Sequence, residues 1–279
     1  MSTYLVSDKI DYQDRNICMK RIQLFEFEDL PWFPNWLRKC LTRMMVVMHN
    51  LLNTSEEMAE LVDKALKHAE SNTIIDLCSG SGGPMPKVLD ILKEKYQVQN
   101  PKMIMTDLFP NREYAAQING LEDSDMEYLR EPVDASHVES DKKGLRTMVG
   151  SLHHMKPETA KKILKNAMNS NQPICTFEIS DNSFPKAIWW IAIPINIITS
   201  LFVSLMARPM TIQQILFTFI IPIIPITFAW DGAVSNARTY TLKDMDILLE
   251  GLDSQGYTWK KGIIKGKSKK VYLLGLPKK

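Results

Sequence analysis

Cysteine is sparse in this chain and scattered: four in 279 residues, Cys18, Cys40, Cys78 and Cys175, with no two close together. That spacing excludes a Cys-x-x-Cys zinc site and offers no disulfide framework, and no metal is expected. Net charge is equally small. The 34 Lys and Arg against 32 Asp and Glu leave +2, with a pI near 8.2. That is too mild for a nucleic-acid reader, where a strong basic patch is needed. A net charge this low, with 45% hydrophobic residues, also excludes disorder as the main state. Residues 1–16 are polar and contain no apolar signal core, so a reducing, cytoplasm-facing location is the expectation. At this length the chain buries enough apolar surface to need no covalent staples.

Charge is missing most conspicuously between Ala187 and Trp230. These 44 residues hold one charged side chain, Arg208. The chain average of 24% charged would place about ten there. Arg208-Pro209 splits the window into two uncharged runs, 187–207 and 210–230, each near the length of about 20 residues that crosses a bilayer. Two spans, a hairpin dipping into one leaflet, and a helical lid over a site are the three arrangements compatible with this. Membrane association is the expectation. Two adjacent apolar helices exceed what a lid requires, and Trp189, Trp190 and Trp230 suit an interfacial belt. Both ends return to the same side, so the remainder of the chain faces the cytoplasm in either membrane form.

Outside that window the chain reads as a regular alternation. Residues 1–70 read as a helical cap. Pro34 stands at a first helical position, a helix follows over 36–52, and Thr54 with Glu57 forms a capping box for a second helix reaching about Ala69. Strands are expected over 73–78, 102–106, 126–131, 145–150 and 174–179, with helices over 86–95, 111–119 and 157–169 between them. Strands separated by helices imply a parallel sheet covered on both faces. A helix capped by Thr241 covers 241–252, and a terminal hairpin pairs 257–264 with 270–276.

The densest signal is Thr73-Ile-Ile-Asp-Leu-Cys-Ser-Gly-Ser-Gly-Gly-Pro84, a buried strand running into a glycine turn and then a helix. Glycine lets backbone turn sharply and approach a ligand closely. A dinucleotide site needs Gly-x-Gly-x-x-Gly, but Met85 stands at the third glycine here. The run instead resembles motif I of class I S-adenosylmethionine-dependent methyltransferases, through Asp76, Gly80 and Gly82. Cys78 departs from the pattern, standing where a glycine is usual. Further matches follow in order. Asp107 ends the second strand, Asp134 follows the third, and the fourth runs into Gly150 and the pair His153-His154. The terminal hairpin also matches the family's way of ending its sheet.

The resemblance implies an α/β fold: a seven-stranded, mostly parallel sheet with helices on both faces. The expected layout is an N-terminal helical cap (1–70), a Rossmann-like cofactor core (71–186), an inserted apolar helical hairpin (187–230) and a C-terminal completion of the core (231–279). It implies S-adenosyl-L-methionine as cofactor, held by Asp76, Cys78, Ser79, Gly80, Gly82, Asp107, Leu108, Asp134, Ala135 and Gly150. Asp107 would meet the ribose and Asp134 the adenine. The implied activity is methyl transfer to a small acceptor, which the neighbouring apolar window makes lipophilic. His153, His154, Glu178 and Asp231 are the candidates for the chemistry. Histidine titrates near pH 7 without help, and an acid ending the fifth strand reaches the same edge. For 230–240, read as a polar connector, an Asp231–Arg238 ion pair that merely orders the loop is the structural alternative. A protein of this fold that binds cofactor without turnover is the functional alternative.

Overall fold

The sheet order is β3-β2-β1-β4-β5-β7-β6. In chain order the strands are β1 (Thr73–Leu77), β2 (Lys102–Thr106), β3 (Met126–Tyr128), β4 (Leu145–Val149), β5 (Ile174–Glu178), β6 (Tyr257–Lys265) and β7 (Lys269–Pro277). The first five are parallel, and β7 pairs antiparallel with both β5 and β6. This is the seven-stranded, mostly parallel α/β sheet that the resemblance implies. The computed structural model describes residues 19–139 and 141–278. Cys18 and the rest of 1–18, the first part of the expected cap, lie outside the described residues.

The helices are α1 (Asn35–Leu51), α2 (Thr54–Leu66), α3 (Met85–Glu94), α4 (Arg112–Asn119), α5 (Pro157–Asn169), α6 (Ala192–Met206), α7 (Ile212–Ile215), α8 (Ile223–Arg238) and α9 (Leu242–Leu249). One layer of core packs α2 and α3 on the sheet through Met58, Val62, Val88 and Leu92 against Ile74, Met103 and Phe177. The other packs α5 and α9 through Ile163, Leu164, Met245 and Leu248 against Ile75, Met148 and Leu273. A third cluster lies off the sheet, where Leu37, Leu41 and Met44 of α1 meet Val203 of α6, Ala207 just past its end, and Ile224 and Phe228 of α8. The N-terminal helices therefore do not form one cap. α2 belongs to the sheet layer, and α1 belongs with the apolar helices.

Several local expectations shift. Pro34 is extended (ψ 131°) and sits just outside α1. The capping box at Thr54 does not form. Asn53, in the left-handed region at φ 56°, precedes the helix, and Thr54 is already its first residue. Glu57 is drawn away to Lys270, a fully buried lysine on β7, at 2.7 Å. The box at Thr241 and Asp244 is present. The stretch 231–238 is not a connector: α8 runs unbroken through it to Arg238, because Trp230 to Arg238 carries no helix-breaking proline and its single Gly232 is tolerated.

Candidate functional site

The strand order reverses direction between β1 and β4, the crevice where open α/β sheets bind ligands beyond their carboxyl ends. The glycine turn leaves β1 on one side of this crevice. Cys78 (φ 57°), Gly80 (φ 53°), Gly82 (φ 81°) and Gly83 (φ 48°) all adopt positive φ. A β-carbon on Gly80, Gly83 or Gly150 (φ 58°) would meet no atom within 4 Å, so these backbones border open space. Gly82 is glycine for another reason, since a β-carbon there would strike the Tyr114 hydroxyl at 2.5 Å. Cys78 holds a left-handed conformation that glycine adopts without strain. Burial and the nearby Asp107 and Asp76 carboxylates push its thiol up to about 12, so it supplies no thiolate.

Side chains brace the turn from beneath. The Asp76 carboxylate is buried and accepts a 2.6 Å hydrogen bond from the Thr147 hydroxyl. Burial pushes that carboxyl up to about 6 despite this bond. Ser79 turns inward: its hydroxyl donates to the Asp76 carbonyl at 2.8 Å, and its N–H donates to Thr106 O at 2.9 Å. The Tyr128 hydroxyl donates to the Gly80 carbonyl at 3.0 Å, and Asn111 donates to the Ser81 hydroxyl at 3.0 Å. Tyr128, Asn111, Tyr114 and Thr147 escaped the sequence reading, because nothing in their spacing marks them as partners of a turn on another element.

Two acids lie along the same edge. Asp107, just past β2, accepts from Gly80 N–H at 2.9 Å through one oxygen and from Phe109 N–H at 2.8 Å through the other. A carboxylate has further lone pairs, so two such bonds leave acceptor capacity for a hydroxyl pair. Leu108 and Phe109 beside it are 47% and 84% exposed, an apolar surface at the mouth of the crevice. Asp134 caps a short turn over Ala135–His137 by accepting from Ser136 N–H at 2.7 Å. Burial opposes it, but the Ser136 N–H and His137 hold this carboxyl below its ordinary value. Ala135 is buried beneath it.

The far side of the crevice is formed by a segment expected to be part of the helical cap but found as irregular chain with one short turn at Phe27–Asp29. The chain from Lys20 to Asp29 crosses the carboxyl ends of β4 and β5. Ile22 N–H donates to Ala237 O at 2.8 Å, and Arg21 donates to the carbonyls of Arg238 and His153. This brings Glu26 and Asp29 onto the loop after β4. His153 places Nδ1 2.8 Å from a Glu178 oxygen, and its backbone N–H donates to the other at 3.1 Å. An acceptor-only carboxylate makes Nδ1 the protonated nitrogen. His154 is held in the same way, Nδ1 to Asp29 at 2.9 Å. The two rings lie 4.2 Å apart between centroids. Both Nε2 atoms face Glu26, at 3.7 Å and 3.8 Å from its oxygens. Arg238 donates to Glu26 at 3.0 Å and to Asp29 at 2.7 Å. Burial pushes the Glu26 carboxyl above its ordinary value, against the pull of His154 and Arg238.

His153, His154 and Glu178 thus lie together in the structure. Asp231 does not join them. Its carboxylate is buried and accepts from Phe27 N–H at 2.7 Å and Glu28 N–H at 3.2 Å, anchoring the crossing segment to α8. Nor does it pair with Arg238, which lies two helical turns on and takes Glu26 and Asp29 instead.

No protein-family model and no curated protein matches the sequence. Among solved structures, the plantazolicin methyltransferase BpumL in complex with SAH aligns with a TM-score of 0.48 at 9% identity, over 87% of this chain and 98% of that one. The mitomycin 7-O-methyltransferase MmcR aligns with a TM-score of 0.46 at 16% identity, over 81% of this chain and 54% of that one. An O-methyltransferase family 2 protein from Planctomyces limnophilus in complex with apigenin aligns with a TM-score of 0.43 at 12% identity, over 74% of this chain and 50% of that one. This chain therefore spans about half the length of the latter two.

Proposed function

We propose that the protein transfers the methyl group of S-adenosylmethionine to a small, lipophilic acceptor at a membrane surface. The observation that carries this reading is the convergence of the positive-φ glycine turn, Asp107 and Asp134 on three successive strand ends beside the point where the sheet order reverses. The open space at Gly80 and Gly150 fits a ligand laid against bare backbone. Asp107 accepts the ribose hydroxyls, Asp134 and the buried shelf of Ala135 meet the adenine, and Leu108 and Phe109 cover it. The bound sulfonium supplies an activated methyl group. The rest of the acceleration comes from holding the acceptor in line with it, which proximity alone provides in large measure.

The acceptor side is the wall formed by His153, His154 and Glu178. Glu178 and Asp29 fix the orientation of the two rings, and a neutral imidazole held this way has a free Nε2 to act as general base toward an acceptor hydroxyl. His154 is the more open of the two, with its side chain 29% exposed against 7% for His153.

The apolar helices support the membrane part of the reading. The segment Lys186–Met206 is long and apolar enough to cross a bilayer, and only 22% of its apolar window is buried. Ile195, Ile198 and Phe202 on α6, with Ile212, Phe219 and Ile220 beyond the Arg208–Pro209 tip, present an exposed apolar face. Such a face marks a membrane or partner surface. The second limb bends by 78° between Ile220 and Ile223. α1 packs along α6 while carrying Arg38, Lys39 and Arg43, and Arg43 donates to Gln214 at 3.1 Å near the tip. Charges at that depth are costly in hydrocarbon, which favours a face lying in the interface over two full spans.

The test is a transfer assay with methyl-labelled S-adenosylmethionine and detergent-dispersed phenols and quinones. Label passing into organic-extractable product, absent with Gly80→Val, supports the reading. Cofactor binding without label transfer to any acceptor would support the non-catalytic alternative.

A further inference from the structure

We propose that Glu26, His153 and His154 form a binding site for a divalent transition-metal ion. The inference rests on the geometry of this cluster and does not need methyl transfer; with an ion on both Nε2 atoms neither ring takes the acceptor proton, so the metal would replace the general-base role proposed above. One carboxylate oxygen and the two imidazole nitrogens lie within 4.8 Å of one another. In a tetrahedral site with bonds near 2.0–2.2 Å, ligand atoms sit roughly 3.3–3.5 Å apart. His154 Nε2 lies 3.8 Å from Glu26 Oε2, close to that range; His153 Nε2 lies 3.7 Å from Oε1, the oxygen that Arg238 holds, so binding one ion requires the Glu26 carboxylate to turn until Oε2 reaches both rings.

Three features single the cluster out from ordinary polar packing. First, both rings have Nδ1 committed to a carboxylate, His153 to Glu178 and His154 to Asp29. That is the outer-shell arrangement that orients metal-binding histidines and leaves the Nε2 lone pair for the ion. Second, the Nε2 of His153, a residue 6% exposed, is buried without a hydrogen-bond partner although Glu26 faces it. An acceptor lone pair turned toward a carboxylate is unfavourable unless a cation lies between them. Third, the charge is unbalanced. Glu26, Asp29 and Glu178 surround the rings, and among the described residues Arg238 is the one guanidinium in ion-pair contact with them, since Arg21 donates to backbone carbonyls. Arg238 takes one oxygen of Glu26 and leaves the other for a metal.

Two imidazoles and one carboxylate suit zinc or another borderline first-row cation better than calcium or magnesium. Three protein ligands leave a fourth position, on the side edged by the partly exposed His154 and Asp29. The sequence hides the site because its carboxylate comes from the crossing N-terminal segment and its histidines from the loop after β4.

The experiment uses the full chain without an affinity tag, stripped by chelator and titrated with Co2+ and then Zn2+. One equivalent of Co2+ should produce visible d–d bands of four- or five-coordinate intensity, bleached by one equivalent of Zn2+. His154→Ala removes a half-exposed ligand, and His137→Ala serves as an exposed control outside the cluster. His154→Ala should weaken Co2+ binding at least about tenfold while its metal-free melting curve stays near wild type, and His137→Ala should bind normally. Asp29→Asn should also weaken binding. Absence of the bands in the wild type, or equal affinity in wild type and His154→Ala, would overturn the proposal.

Discussion

His153 and Glu178 are joined twice: the imidazole Nδ1 and the backbone N–H of the same residue both meet one buried carboxylate, at 2.8 Å and 3.1 Å. The carboxylate ending β5 therefore fixes the loop after β4 and its ring together. Glu178→Ala leaves both donors buried without a partner. It should lower stability by about 2–4 kcal/mol, the scale for losing two bonds to a charged group. Urea denaturation measures this, and a loss under about 0.5 kcal/mol would show that the pair is not a fixed element.

Cys78 occupies φ 57° where glycine is free of strain. Cys78→Gly should raise stability by up to about 1 kcal/mol, because the relieved strain slightly exceeds the added freedom of the unfolded chain. Cys78→Val should cost more than 2 kcal/mol, since a β-branched side chain fits that conformation worst. Thermal melts of the three proteins rank them, and a less stable glycine variant would contradict the strain argument.

Asp76 gives a pH dependence. Its carboxyl is raised to about 6 in the folded state, above the ordinary range near 4. A raised acid contributes stability that is fully present below the unfolded value and is lost as pH rises through the folded one. Relative to Asp76→Asn, the wild type should therefore lose stability between about pH 4 and pH 6 and run parallel to it above pH 7. Denaturation midpoints measured at half-unit intervals give the comparison, and parallel curves across the whole range would place the Asp76 carboxyl at its ordinary value.

Ile198 is 60% exposed on α6, so a charge there does not disturb packing. Wild-type protein should sediment with anionic vesicles. Ile198→Arg should keep its melting temperature and lose retention by about tenfold or more. Recovery of the wild type in the vesicle-free supernatant would remove the membrane surface, and with it the ground for a lipophilic acceptor.

The strands were legible because each is a short apolar run bounded by turn residues; all five parallel ones begin where expected, β2 fills its span, and the other four end one to three residues early. β3 stops at Tyr128, short of Glu131, as the chain turns toward Pro132. The glycine turn and the acids Asp107 and Asp134 were legible because order along the chain mirrors order along the sheet edge. What stayed hidden depends on contacts between segments distant in the chain. Glu26 and Asp29 gain their meaning only when the crossing segment lies over β4 and β5. Glu57 forgoes its capping box because a buried lysine on β7 needs a partner. Asp231 belongs to a helix whose amphipathic part begins inside an apolar run, so composition alone misread it as a connector.

Calorimetric titration of S-adenosylhomocysteine into wild type and Asp107→Ala tests the central claim most directly. The account predicts saturable binding at one site in the wild type. In the alanine variant it predicts affinity weakened by about 1.5–3 kcal/mol, the scale for hydrogen bonds to a charged group, with an unchanged melting temperature. Absence of binding in the wild type, or identical affinity in the two proteins, would contradict it.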